Sequence, residues 1–141
     1  MKILITGIPG TGKTTIGDYL ESEKGFLHLN MERTSLEEMT RFHESSAPNK
    51  VITWGFVPIV QNADIKNLQE LGYKMFWFDG NREAARREFI ERGDVPEDLL
   101  DAQLSRIESL DLSIFNPTLI NTFDANGLFY TKEQIANMLI Q

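Results

Sequence analysis

Apolar and polar positions along this chain switch between two periods. Short runs rich in β-branched and aromatic residues occur at 2–6 (KILIT), 26–30 (FLHLN), 51–54 (VITW), 74–78 (KMFWF) and 118–123 (TLINTF). Each has the length and composition of a strand. Between them apolar residues recur three and four apart. Ile16, Tyr19 and Leu20 mark a first helix, which Gly25 stops. Leu36, Met39 and Phe42 mark a second, with Ser35 and Glu38 spaced as a capping box. A third runs from Ile59 through Ala63 and Leu68 to Leu71 and closes at Gly72. Asn81 can cap a fourth, and Gly93 ends it. Leu100, Leu104, Ile107 and Ile114 predict one long amphipathic helix, and Thr131 with Gln134 caps a last helix bearing Ile135, Met138 and Leu139.

Strands that alternate with helices in this way build a parallel sheet with helices on both faces. No repeat or low-complexity segment interrupts the pattern. Ligands of such sheets bind beyond the carboxyl ends of the strands. Ligand contacts are therefore expected at 7–14, 30–33, 54–58, 79–82 and the turn after Phe123.

The first of these segments carries the strongest chemical signal. GIPGTGKTT, residues 7–15, fits the spacing G-x-x-x-x-G-K-[ST] through Gly7, Gly12, Lys13 and Thr14. It lies between an apolar run and a helix, which is the context the pattern requires. Small residues let successive N–H groups turn inward around an anion, and the helix N-terminus adds partial positive charge. Gly7, Pro9, Gly10, Thr11, Gly12, Lys13, Thr14 and Thr15 are thus the expected nucleotide-binding set. Lys13 is expected to reach the β- and γ-phosphates of ATP, and the Thr14 hydroxyl to bind the accompanying Mg2+.

Composition narrows the reading further. The 141 residues suit one domain, 1–141, with a real core. There are no cysteines, which removes disulfides and thiolate metal sites and suits a cytoplasmic protein. No apolar stretch has the length of a membrane span, and no signal peptide precedes the first strand. The net charge of −7 argues against non-specific binding along a nucleic-acid backbone. Four of the arginines nevertheless cluster at 82, 86, 87 and 92. The expected partners are a nucleoside triphosphate and a small-molecule acceptor.

Taken together these stretches resemble the small P-loop kinases of the adenylate kinase-like group, which includes nucleoside monophosphate, shikimate and gluconate kinases. GFLHLNMERTSLEE is similar to the stretch that receives the acceptor in nucleoside monophosphate kinases. TWGFVP resembles their DGFPR segment. FWFDGNREAARREFIERG resembles the strand and helix leading to the lid, and EDLLDAQLSRI the helix after it. The resemblance implies a three-layer α/β/α P-loop NTPase fold with a five-stranded parallel sheet in the order 2-3-1-4-5. It places a short lid near 92–98, acceptor contacts at Arg33, Gly55 and Phe56, and phosphate-gripping arginines at Arg92 and Arg106.

The departures matter as much. The acid that this group sets after the third strand is missing, with Trp54 in its place, and the DGFPR arginine is absent. Glu32, directly after the second strand, could take a substrate proton or join the metal shell. Asp79 is its rival for the metal role, although a turn residue before Gly80 is the plainer reading. Arg92 could equally be a cation at a helix C-terminus paired with Glu88, and Arg106 an extended surface side chain. Trp54 could stack on a base or simply fill the core. His28 and His43 receive no role.

Two functional readings follow. One is a kinase moving the γ-phosphate of ATP to a nucleotide or nucleoside, or else to a sugar acid or other small hydroxyl compound. The other is a nucleotide-binding switch or ATPase with little kinase turnover, which the missing acid favours.

Overall fold

The computed structural model describes residues 1–55, 60–93 and 96–141. Five strands form one parallel sheet: β1 (Lys2–Gly7), β2 (Leu27–Asn30), β3 (Lys50–Thr53), β4 (Lys74–Asp79) and β5 (Thr118–Asn121). Their order is β2-β3-β1-β4-β5, as the resemblance implied. The helices are α1 (Lys13–Lys24), α2 (Leu36–Glu44), α3 (Asn62–Glu70), α4 (Arg82–Arg92), α5 (Glu97–Glu108) and α6 (Lys132–Ile140).

The two-residue period of the strands divides the core into two layers. Ile3, Ile5, Val51, Phe76 and Phe78 point to one face and pack with Ile16, Leu20, Ile135 and Leu139 of α1 and α6. Leu4, Ile52, Met75 and Trp77 point to the other, where Phe42, Ile65, Leu68 and Ala85 of α2, α3 and α4 cover them. β1 lies in the middle, with β3 and β4 as its parallel partners. Its carboxyl end, where the phosphate loop begins, is therefore held from both sides.

Several boundaries differ from the expected ones, most of those below for a local reason. Phe26 stays out of β2 because the α1 terminus claims it: Gly25 adopts a left-handed conformation (φ 72°) and the Phe26 N–H donates back to Leu20 O. β5 stops at Asn121, whose side-chain oxygen accepts the Phe123 N–H and turns the chain away. The helix expected to reach Ile114 ends at Glu108. Asp111 then takes the Ser113 N–H and hydroxyl and starts a separate 3₁₀ turn (Leu112–Ile114), leaving Ile114 exposed. α3 begins at Asn62; Ile59 lies outside the described residues, and Leu71 is exposed rather than a core position. Thr131 and Gln134 form the full capping box. At α2 only half of one forms: Ser35 accepts the Glu38 N–H, while the Glu38 carboxylate takes the Thr34 hydroxyl.

Candidate active site

The phosphate loop links β1 to α1 and is shaped by glycine. Gly7, Gly10 and Gly12 have φ values of 132°, 82° and 88°, in the left-handed region that side chains rarely adopt. Two of them also sit against neighbouring backbone. A Cβ on Gly7 would lie 2.2 Å from Phe78 O, and one on Gly10 would lie 2.0 Å from Ala85 O. Thr11 secures the loop from within, its hydroxyl donating to Ile8 O at 2.7 Å.

Lys13 folds back over this loop. Its ammonium donates to the carbonyls of Ile8 (3.0 Å) and Gly7 (3.3 Å). Burial lowers its pKa from 10.5 to about 8; nearby Glu32 opposes that shift and Arg92 adds to it. Lys13, Glu32 and Arg92 therefore share one electrostatic environment although they come from α1, the β2 loop and α4.

Asn30 brings Glu32 there. Standing at the end of β2, it accepts the Glu32 N–H with its side chain and the Arg33 N–H with its carbonyl. This turn aims the chain across the end of β3. Glu32 Oε1 then accepts the Gly55 N–H at 2.9 Å. A carboxylate from the neighbouring strand's loop thus lies against the end of β3. Trp54 itself is 8% exposed and belongs to the core. Asp79 is engaged elsewhere, since it accepts two bonds from the Arg82 guanidinium (2.7 and 3.1 Å) and one from the Gly80 N–H.

A cleft of about 530 Å³ opens over the loop, with Lys13, Thr14, Glu32, Arg33, Gly55 and Arg92 among its walls. Pro9, Gly10, Gly12 and Thr15 also line it, whereas Thr11 is buried beneath. Arg106 does not line it. It is exposed at the end of α5, and Gln103, one turn earlier, faces the cleft instead. Phe56 lies outside the described residues, as do residues 94 and 95 of the expected lid; Gly93 and Pro96 flank them.

A second cavity of about 410 Å³ adjoins the loop on its other side, between Gly12, Glu88, Arg92, Phe129, Tyr130 and Lys132. Phe129 stacks on Phe123 (centroids 4.4 Å apart) and would meet a Cβ on Gly12 at 3.5 Å. Arg92 borders both cavities, with its guanidinium over the Phe89 ring. The expected Arg92–Glu88 pair is not formed, although both line this second cavity. The sequence pattern singled out 30–33 but not the turn that Asn30 makes, and it missed Gln103 and the 129–132 wall. The aromatic pair just before the Thr131 cap was the available signal for that wall.

The residues present fit a magnesium-bound nucleoside triphosphate. The loop supplies glycine-shaped backbone and one buried ammonium, Thr14 supplies a hydroxyl, and an aromatic-walled cavity continues from the loop. Among the described residues no cluster of three His, Cys, Asp or Glu could hold a metal by itself. Among the same residues no helix is long and apolar enough to cross a membrane.

The sequence model of the AAA_18 family, described as an AAA domain, matches residues 3–114, and the chain belongs to that family. Its fold is that of the small P-loop kinases of the adenylate kinase-like group. A gluconokinase from Sinorhizobium meliloti superposes with a TM-score of 0.62 at 12% identity, over 99% of this chain and 89% of that one. A sugar kinase from a Janibacter species gives 0.61 at 18% identity, over 97% and 90%. A shikimate kinase from Bacteroides thetaiotaomicron gives 0.59 at 18% identity, over 99% and 94%. No curated protein matches the sequence significantly.

Proposed function

We propose that this protein is a kinase that transfers the γ-phosphoryl group of ATP to a hydroxyl of a small acceptor. The observation that carries this reading is the Glu32 carboxylate held beside Lys13 at the cleft. A phosphate acceptor is already ionised and needs no base, whereas a hydroxyl does. The position of Glu32 therefore favours a nucleoside or a sugar acid over a nucleoside monophosphate. The kinship in fold with gluconokinase and shikimate kinase is compatible with the sugar-acid choice.

Each residue has a distinct task. The loop backbone and Lys13 hold the phosphates, and Thr14 is the protein ligand for magnesium, which neutralises phosphate charge when bound. Arg92 sits where both cavities meet, suited to charge on the transferring group. Glu32 takes the acceptor proton as its oxygen bonds to phosphorus and the bond to the leaving diphosphate breaks. Arg33 supplies a cation on the acceptor side. Arg106 would serve only if α5 turned it toward the cleft, and Gln103 holds that position here. A nucleotide switch or slow ATPase is the second reading, supported by the lack of an acid on β3 itself.

The deciding experiment is a transfer screen with γ-labelled ATP and magnesium. The acceptors are nucleosides, nucleoside monophosphates, sugar acids and short oligonucleotides, with an acceptor-free control. Label on a hydroxyl acceptor supports the kinase. Label released only as free phosphate, or retained on bound ATP, overturns it in favour of the second reading.

A further inference from the structure

Away from the phosphate loop, a groove of about 580 Å³ runs between α2 and α3 on the sheet face that also carries Leu4 and Ile52. One end and the floor are apolar, formed by Met31, Met39, Trp54 and Leu68. The other end is cationic. Lys2 and Lys50 are register partners on β1 and β3, so their side chains emerge next to each other on one face. Both line the groove, as does His43.

Among the described residues Lys50 lacks the carboxylate partner that a buried charge ordinarily has. Lys50 is only 5% exposed, yet its ammonium has just the His43 carbonyl at 3.4 Å and the Phe42 ring centroid at 5.3 Å. Lys2 donates to Leu71 O at 2.9 Å and lies 5.6 Å from the Tyr73 ring centroid. Neither forms an ion pair among the described residues. Asp64 also borders the groove, from the first turn of α3. Burial first, then the charges of Lys50 and Lys2, hold the His43 imidazole below its usual pKa.

We propose that this groove is a second binding site, for a small amphipathic anion. One acid group sits between Lys2 and Lys50, and an apolar body lies along Met39 and Leu68 toward Trp54. Trp54 is four strand residues from Lys50, or about 13 Å, which sets the upper limit to the ligand's length. The cavity lies within the usual size range of small-molecule sites. The proposal does not depend on the kinase reading, because none of these residues touches the phosphate loop cleft.

The test uses 8-anilinonaphthalene-1-sulfonate, an aromatic anion with one acid group, titrated by fluorescence in saturating MgATP. N-phenyl-1-naphthylamine serves as its uncharged counterpart. Lys50→Met is expected to weaken binding of the sulfonate by at least about tenfold, and Lys2→Met to weaken it clearly, while the uncharged probe binds both variants as it binds the wild type. Hexanoate should displace the sulfonate where inorganic phosphate at equal concentration does not. Lys2 is exposed, so its variant keeps the test valid if Lys50→Met fails to fold. Sulfonate binding that neither lysine variant changes, or that MgATP abolishes, overturns the proposal. So does displacement by phosphate as effective as by hexanoate.

Discussion

Glu32 Oε1 accepts the backbone N–H of Gly55 at 2.9 Å, and a Cβ on Gly55 would sit 2.7 Å from that same oxygen. One hydrogen bond thus joins the loop after β2 to the end of β3 and sets a carboxylate beside Lys13. Gly55→Ala should push Glu32 off this position without disturbing the core, since Gly55 is exposed. The expected result is a kcat reduced by about tenfold or more, with ATP affinity and Tm nearly unchanged. Glu32→Gln keeps the shape but not the base and should lower kcat by about 100-fold or more in the same assay. If Glu32→Gln retains full kcat, Glu32 is not the base.

Lys13 links binding to pH. Its pKa falls from 10.5 in the unfolded chain to about 8 in the fold. Between those values the unfolded chain binds more protons, so stability of the free protein rises with pH across that window. Lys13→Met should remove this rise, as measured by Tm from pH 7.5 to 10.5. A triphosphate restores the charge on Lys13, so binding at pH 8.5 should take up protons. Calorimetry in buffers of different ionisation enthalpy will show this uptake in the wild type and its absence in Lys13→Met.

Variants of Phe129 and Arg92 should separate recognition from chemistry. Phe129→Ala opens the wall beside Gly12 and should weaken ATP binding by about tenfold while leaving inorganic triphosphate binding unchanged. Arg92→Ala should lower kcat by about 100-fold, whereas Arg106→Ala should lower it by less than about tenfold. Equal losses for the two arginines would show that α5 turns during turnover.

Gly17 predicts a stability effect. His28 donates or accepts between Asp18 (3.0 Å) and the Thr53 hydroxyl (2.8 Å), with its side chain almost wholly buried under α1. A Cβ on Gly17 would lie 2.4 Å from His28 Nε2 and 2.7 Å from Thr53 Cγ2. Gly17→Ala should therefore destabilise the fold by about 1–3 kcal/mol, through crowding that outweighs its helix propensity. Chemical denaturation will measure the loss.

Much of this architecture was legible in residue order. The five strands, the position of the phosphate loop and the caps at Asn81 and Thr131 follow from rules that act within a few residues. Where those rules compete, order alone misleads. Asp111 spends its side chain on a new turn, so the apolar series ending at Ile114 is not one helix. Gly25 gives Phe26 to a helix terminus instead of a strand.

The sequence by itself determined that a glycine loop, Lys13 and Thr14 stand at the end of a buried strand and the start of a helix, because spacing and neighbours suffice for that. Only the tertiary structure decided that Glu32 reaches Gly55, that Gln103 rather than Arg106 faces the cleft, and that Lys2 and Lys50 line one groove. Strand register, the rotation of α5 and the Asn30 turn decide these placements. Such relationships depend on packing between elements, which no local pattern of residues encodes.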